Sequence, residues 1–137
     1  MENAAMIIDK RLRVYGNTEY RDGKRNENDQ SMTFVNQVRK RYPELLIMHI
    51  KNEGKKTKAD ADFDRAMGML TGASDFIVIG NPTLCIEMKN ADHTVSTIGK
   101  KQVDFLINAE KQGCFTCVAL GWEAAMEAVE DWMRIKK

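Results

Sequence analysis

Asp75-Phe76-Ile77-Val78-Ile79-Gly80-Asn81-Pro82-Thr83-Leu84-Cys85-Ile86-Glu87-Met88-Lys89 is the stretch that decides the fold. Two runs rich in apolar and β-branched residues, 75–79 and 83–89, flank Gly80-Asn81-Pro82, a turn-forming trio, so the segment reads as a β-hairpin. A three-residue loop pairs Ile79 with Thr83, and counting back from that pair sets Asp75 opposite Glu87. Directly opposed residues share a face, with Cβ atoms roughly 4.5–5.5 Å apart. Strand period two sends Lys89 to the same face and Met88 to the other. The hairpin thus gathers two carboxylates and an ammonium on one side, with apolar residues behind them.

Working outward, the chain before and after the hairpin alternates helical and extended patterns. From Asp29, the residues Phe34, Val35, Val38 and Tyr42 follow helical spacing until Pro43 ends the run. Leu45–Ile50 is a strand by length, and a polar, lysine-rich loop follows over Lys51–Lys58. Phe63, Ala66 and Met67 mark a short second helix, with Asp60, Asp62 and Asp64 near its N-terminal dipole and Gly68 ending it. Beyond Asn90, a polar connection leads to a helix with Gln102, Phe105, Leu106 and Ala109 on one face, closed by Gly113. Cys114–Leu120 reads as a buried strand. Gly121 precedes a last helix, with Trp122, Met126, Val129 and Met133 facing inward. Residues 1–26 show no period and read as an irregular, loosely attached arm, with a short strand near Leu12–Tyr15. The order implies an α/β fold, a mixed β-sheet with helices on its faces. The helix between strands 83–89 and 114–120 permits a right-handed parallel crossover.

At 137 residues, with 43% apolar and 30% charged side chains, the chain forms one domain that can bury a substantial core without disulfides. A net charge of +1 excludes a uniformly basic coat for nucleic acid. Any basic surface is local, at Arg39-Lys40-Arg41, at Lys55, Lys56 and Lys58, or at Lys100-Lys101. Each cluster reads equally as a solvated face. Three cysteines without a disulfide framework suggest a reducing compartment. Cys114-x-x-Cys117 lacks the second pair a zinc site needs and falls in a strand. No apolar run approaches the roughly 18–20 residues of a membrane span. The N-terminus does not read as a signal peptide, so the expected location is the cytoplasm.

Hydrolysing a phosphodiester needs charge stabilisation on the phosphoryl oxygens and an activated water. Mg²⁺ or Mn²⁺ on hard carboxylate oxygens supplies both. Asp75 and Glu87 are the candidate ligands, with the Met88 carbonyl as a further oxygen. Lys89 is placed to orient or help deprotonate the attacking water. The same string also fits an ordinary strand face with an incidental Glu–Lys pair.

From about Glu27 to the C-terminus the chain resembles the VRR-NUC family, within the PD-(D/E)XK nuclease group. The resemblance is carried by Asp29-Gln30 before the first helix, Tyr42-Pro43 at its end, and His49-Ile50-Lys51-Asn52 leading into a glycine and lysine loop. It continues through Ala66-Met67-Gly68, Gly72-Ala73-Ser74-Asp75, Glu87-Met88-Lys89, Gln102 and Val118-Ala119-Leu120-Gly121. It implies a restriction-endonuclease-like fold over residues 27–137 and metal-dependent cutting of DNA, often at branched structures such as four-way junctions or flaps. Carried over by position, Asp75, Glu87 and Lys89 form the catalytic core, joined by Gln102. An acid of the first helix, Glu27 or Asp29, matches the N-terminal acidic position; Glu27 is preferred because Asp29 doubles as a helix cap. His49, Asn52, Lys55, Lys56 and Lys58 are the expected DNA contacts. Small stand-alone members are phage-type and dimeric, which implies a homodimer here. Two departures stand out: Ser74 where the family often has proline, and Gly99 where serine commonly precedes the helix glutamine. The alternative is a non-catalytic DNA-binding or partner-recruited module that keeps the nuclease fold.

Overall fold

The computed structural model describes residues 9–24, 26–50, 57–95 and 97–137. Among these, five strands form one mixed sheet: β1 (Val14–Tyr15), β2 (Ile47–His49), β3 (Phe76–Val78), β4 (Leu84–Lys89) and β5 (Phe115–Leu120). Their spatial order is β1-β5-β4-β3-β2, antiparallel from β2 to β4 and parallel from β4 through β5 to β1. Helices α1 (Glu27–Arg41), α2 (Lys58–Ala66), α3 (Lys100–Lys111) and α4 (Trp122–Ile135) complete the fold. From α1 onward, elements follow one another as the sequence predicts.

The hairpin has the register its turn dictates. Phe76 pairs with Ile86, Ile77 with Cys85 and Val78 with Leu84, and one further step sets Asp75 opposite Glu87. The turn rests on α4: the indole of Trp132 donates to the Pro82 carbonyl at 2.7 Å. One sheet face presents Phe76, Val78, Ile86 and Met88 to Phe34 and Val38 of α1 and to Val129 and Trp132 of α4. Buried Ala124, Ala125 and Ala128 let α4 lie close to the strands. Trp132 takes the central inward position, while Trp122 and Met133 are partly buried at the margin. On the opposite face, Val118 and Leu120 of β5 pack with Leu106 of α3. Alternation along β4 turns Glu87 and Lys89 toward that α3 face.

Several expectations change. Helix α1 begins at Glu27 behind Asn26, so Asp29 and Gln30 lie inside the helix rather than ahead of it, and Asp29 is not the cap. Gln30 instead reaches α4: its Oε1 accepts the Trp122 N–H at 2.8 Å. Gly121, at φ +96°, makes room, since a Cβ there would sit 3.3 Å from the same oxygen. The N-terminal segment is fastened rather than loose. Val14 and Tyr15 add an edge strand to β5, and Asp92 accepts the N–H groups of Asp22 and Gly23, each at 2.8 Å. Asn90 accepts the Asn26 N–H and donates to the Lys24 carbonyl, both at 3.0 Å. Helix α2 buries none of its residues, and Phe63 and Met67 are 64% and 68% exposed. Cys85, Cys114 and Cys117 are free thiols. An odd separation along extended chain turns Cys114 and Cys117 to opposite faces, which rules them out as a chelating pair. No helix among the described residues is long and apolar enough to cross a membrane.

Candidate active site

Strand β4 carries Glu87 into the interior, where it is 1% exposed. Its Oε2 accepts from the Gln102 amide at 2.8 Å, and Lys89 Nζ lies 4.0 Å from the same oxygen. Its Oε1 is buried without a hydrogen-bond partner. Lys89, itself buried, donates to the Thr97 carbonyl at 3.2 Å. Asp75 sits just ahead of β3, held by its own carbonyl, which accepts the Ile50 N–H at 2.7 Å. Its Oδ2 accepts the Met88 N–H at 2.7 Å, taking the place of a ladder bond beyond the end of β3. A strand residue directs its N–H and C=O to the same side, so the Met88 carbonyl faces that same gap.

Electrostatics follow from this packing. Burial, and then the Asp75 charge opposite, push the Glu87 carboxyl up to about 9, with Lys89 opposing. Burial also raises Asp75, against the pull of the Met88 N–H, Lys89 and His49. The Glu27 charge, at the first position of α1, raises both carboxyls. Two opposed acids therefore share one site with buried Lys89 beside them, and the Glu27 charge reaches both. Among the described residues no three His, Cys, Asp or Glu side chains gather closely enough to hold a metal ion alone. A hard divalent cation accepts two carboxylates and completes its shell with carbonyls, water or phosphate. The orphaned Glu87 oxygen, the opposed Asp75 carboxylate and the Met88 carbonyl fit that demand.

Gln102 does two things at once. Its Oε1 accepts the Gly99 N–H at 2.7 Å, closing the start of α3, while its amide nitrogen holds Glu87. Gly99 has no side chain to return the cap. The loop before β3 braces the same helix end. Gly72, at φ +87°, lies so close to Lys101 that a Cβ would meet its backbone at 2.6 Å.

The other expected residues divide. His49 stacks on Phe76, its cross-strand neighbour, with centroids 4.7 Å apart and planes at 25°, and its charge acts on Asp75. Lys58 opens α2 in a surface ion pair with Asp62 at 3.0 Å. Asn52, Lys55 and Lys56 lie outside the described residues. Sequence reasoning missed Asn90 and Asp92, whose side chains fasten the N-terminal segment that leads into Glu27. The available signal was an amide and a carboxylate just past a strand end, residue types that seek backbone partners.

No protein-family model and no curated protein matches the chain. A solved structure described as a VRR_NUC domain protein does match. The two share 20% sequence identity with a TM-score of 0.64, over 80% of this chain and 88% of the other. This chain has the fold of that VRR_NUC domain protein, a mixed five-stranded sheet flanked by helices.

Proposed function

We propose that this chain is a divalent-metal-dependent DNA endonuclease that hydrolyses phosphodiester bonds in branched DNA, such as four-way junctions or flaps, as a homodimer. The observation that supports it best is Glu87, buried with one oxygen unpartnered and facing Asp75, in the fold of a VRR_NUC domain protein. A carboxylate in that position is destabilising alone and useful beside a cation.

Asp75, Glu87 and the Met88 carbonyl hold the cation. Bound Mg²⁺ or Mn²⁺ supplies positive charge for the phosphoryl oxygens and acidifies the attacking water. Gln102 fixes the Glu87 carboxylate, so that Oε1 rather than Oε2 is left for coordination. Lys89, steered by the Thr97 carbonyl, presents its Nζ to the phosphate and the attacking water. Glu27 adds negative potential that draws the cation in and is absorbed once it is bound. His49 lies at the same end of the sheet and contacts the DNA. Asn52, Lys55, Lys56 and Lys58 supply phosphate contacts, which position a substrate without reading its sequence. Four large apolar side chains, Phe63, Met67, Met69 and Leu70, stand more than half exposed and offer the homodimer its surface.

The test is a cleavage panel of four-way junction, flap, splayed-arm, single-stranded and plain duplex DNA with Mg²⁺ or Mn²⁺. Wild type should cut a branched substrate only with metal, and Glu87→Ala should cut none. Cutting that persists in Glu87→Ala, or DNA binding without any cutting by wild type, would overturn the catalytic reading.

A further inference from the structure

On the sheet face opposite Glu87 and Lys89, a groove of about 550 Å³ lies between α1 and the edge strand β2. Asn28, Ser31, Asn36 and Arg39 line one wall, and Ile47 and His49 the other. The α1 residues recur at helical spacing on one face. A helix face packed on a sheet normally carries leucine or isoleucine there. Here Met32 and Val35 stand among amides, a hydroxyl and a guanidinium, so the lining mixes apolar surface with hydrogen-bonding groups. Among the described residues no carboxylate lines it.

The ends of the groove are informative. Asn28 follows Glu27, whose charge reaches both buried carboxyls, and His49 acts on Asp75. Phe76, which lines the groove, directly follows Asp75, so one end of the groove lies at the strand end that carries Asp75, across the sheet from Glu87. The groove leads away along α1 to exposed Arg39, the one cation among its described lining residues. Exposed Met32 and the exposed His49 ring, backed by buried Phe76, give it flat apolar surface.

We propose that this groove takes an unpaired nucleotide of the DNA strand being cut, with its base against His49 and Met32 and the adjoining phosphate at Arg39. The identity of the strand rests on the nuclease reading above; the groove's chemistry does not. Its volume suits a ligand of nucleotide size and not a duplex. Any base can stack on such a surface, while amides and hydroxyls satisfy its exposed edges without demanding one sequence. A base already unpaired enters without the cost of breaking a stack, so DNA with an unpaired nucleotide at the cut is favoured over plain duplex.

The test uses the full chain and flap DNA carrying 2-aminopurine at the unpaired position next to the junction, with Ca²⁺ replacing Mg²⁺ during binding. Ser31→Trp fills the groove, and Arg39→Glu reverses its exposed cation without touching the core. Wild type should change the probe's fluorescence on binding, and each variant should bind the flap about ten-fold more weakly while duplex binding changes less than about two-fold. Both variants binding and cutting the flap like wild type would overturn the groove and leave the nuclease standing. Wild type that never cuts, yet loses flap binding in both variants, would keep the groove and remove the catalysis. Absence of both binding and cutting would remove both.

Discussion

Glu87 keeps one oxygen on Gln102 and turns its buried carboxyl toward Asp75, to which it hydrogen-bonds when it holds a proton. Its carboxyl is raised to about 9, first by burial and then by Asp75, so in the metal-free folded chain it holds a proton that the unfolded chain has released. Between its ordinary value and about 9, the folded state binds more protons, and stability falls as pH rises. Glu87→Gln removes that dependence. In chelator, the melting temperature of Glu87→Gln should gain on wild type from pH 5 to pH 9, since each pH unit in that window costs the wild-type fold up to about 1.4 kcal/mol. A gap that stays constant across pH would show that Glu87 is not the titrating group. Gln102→Ala strips the amide donor from Glu87 and the acceptor from the Gly99 N–H. It should lose about 1–2 kcal/mol by denaturant unfolding and slow any cutting.

At the scale of elements, the hairpin was the most legible part of the chain because its loop length determines its register. Asp75, Glu87, Lys89 and the burial of Met88 all follow from counting along two strands. Two kinds of feature were not legible. Val14–Tyr15 is too short to show a period, so its pairing with β5 had no local signature. Asn90 and Asp92 act on backbone more than sixty residues away, a contact that no window along the sequence can contain. The start of α1 was ambiguous because Asn26 and Asp29 are both good caps, and the choice between them settles only in three dimensions. Asn90→Ala would leave the Asn26 N–H and the Lys24 carbonyl unpaired, at a cost of roughly 1–3 kcal/mol. Hydrogen exchange should then quicken around residues 22–27, and an unchanged rate there would mean that Asn90 does not hold the segment. Trp132→Phe loses the bond to Pro82 and part of the buried ring volume, and should cost about 1–3 kcal/mol in thermal or denaturant unfolding.

Across the whole molecule, the sheet divides its labour. The α1–α4 side holds the larger apolar core, with the α1–β2 groove at its margin, while the α3 side carries the charged cluster at the end of β4. Apolar residues at helical spacing predicted α2 correctly as a helix but said nothing of its neighbours, and Phe63 and Met67 emerge on the surface. If that surface is the dimer contact, Phe63→Glu with Met67→Glu should convert a dimer to a monomer in sedimentation equilibrium, with melting changed little. A wild-type monomer would remove the homodimer from the account. The central claim, that the Asp75–Glu87 pair exists to hold a divalent cation, is tested most directly by titrating Mn²⁺ into the metal-free protein by calorimetry at pH 7, in two buffers of different ionisation enthalpy. The account predicts saturable binding that releases protons, because a raised carboxyl must ionise to coordinate, and the loss of that binding in Glu87→Gln. Binding that releases no protons, or that survives Glu87→Gln unchanged, would contradict it.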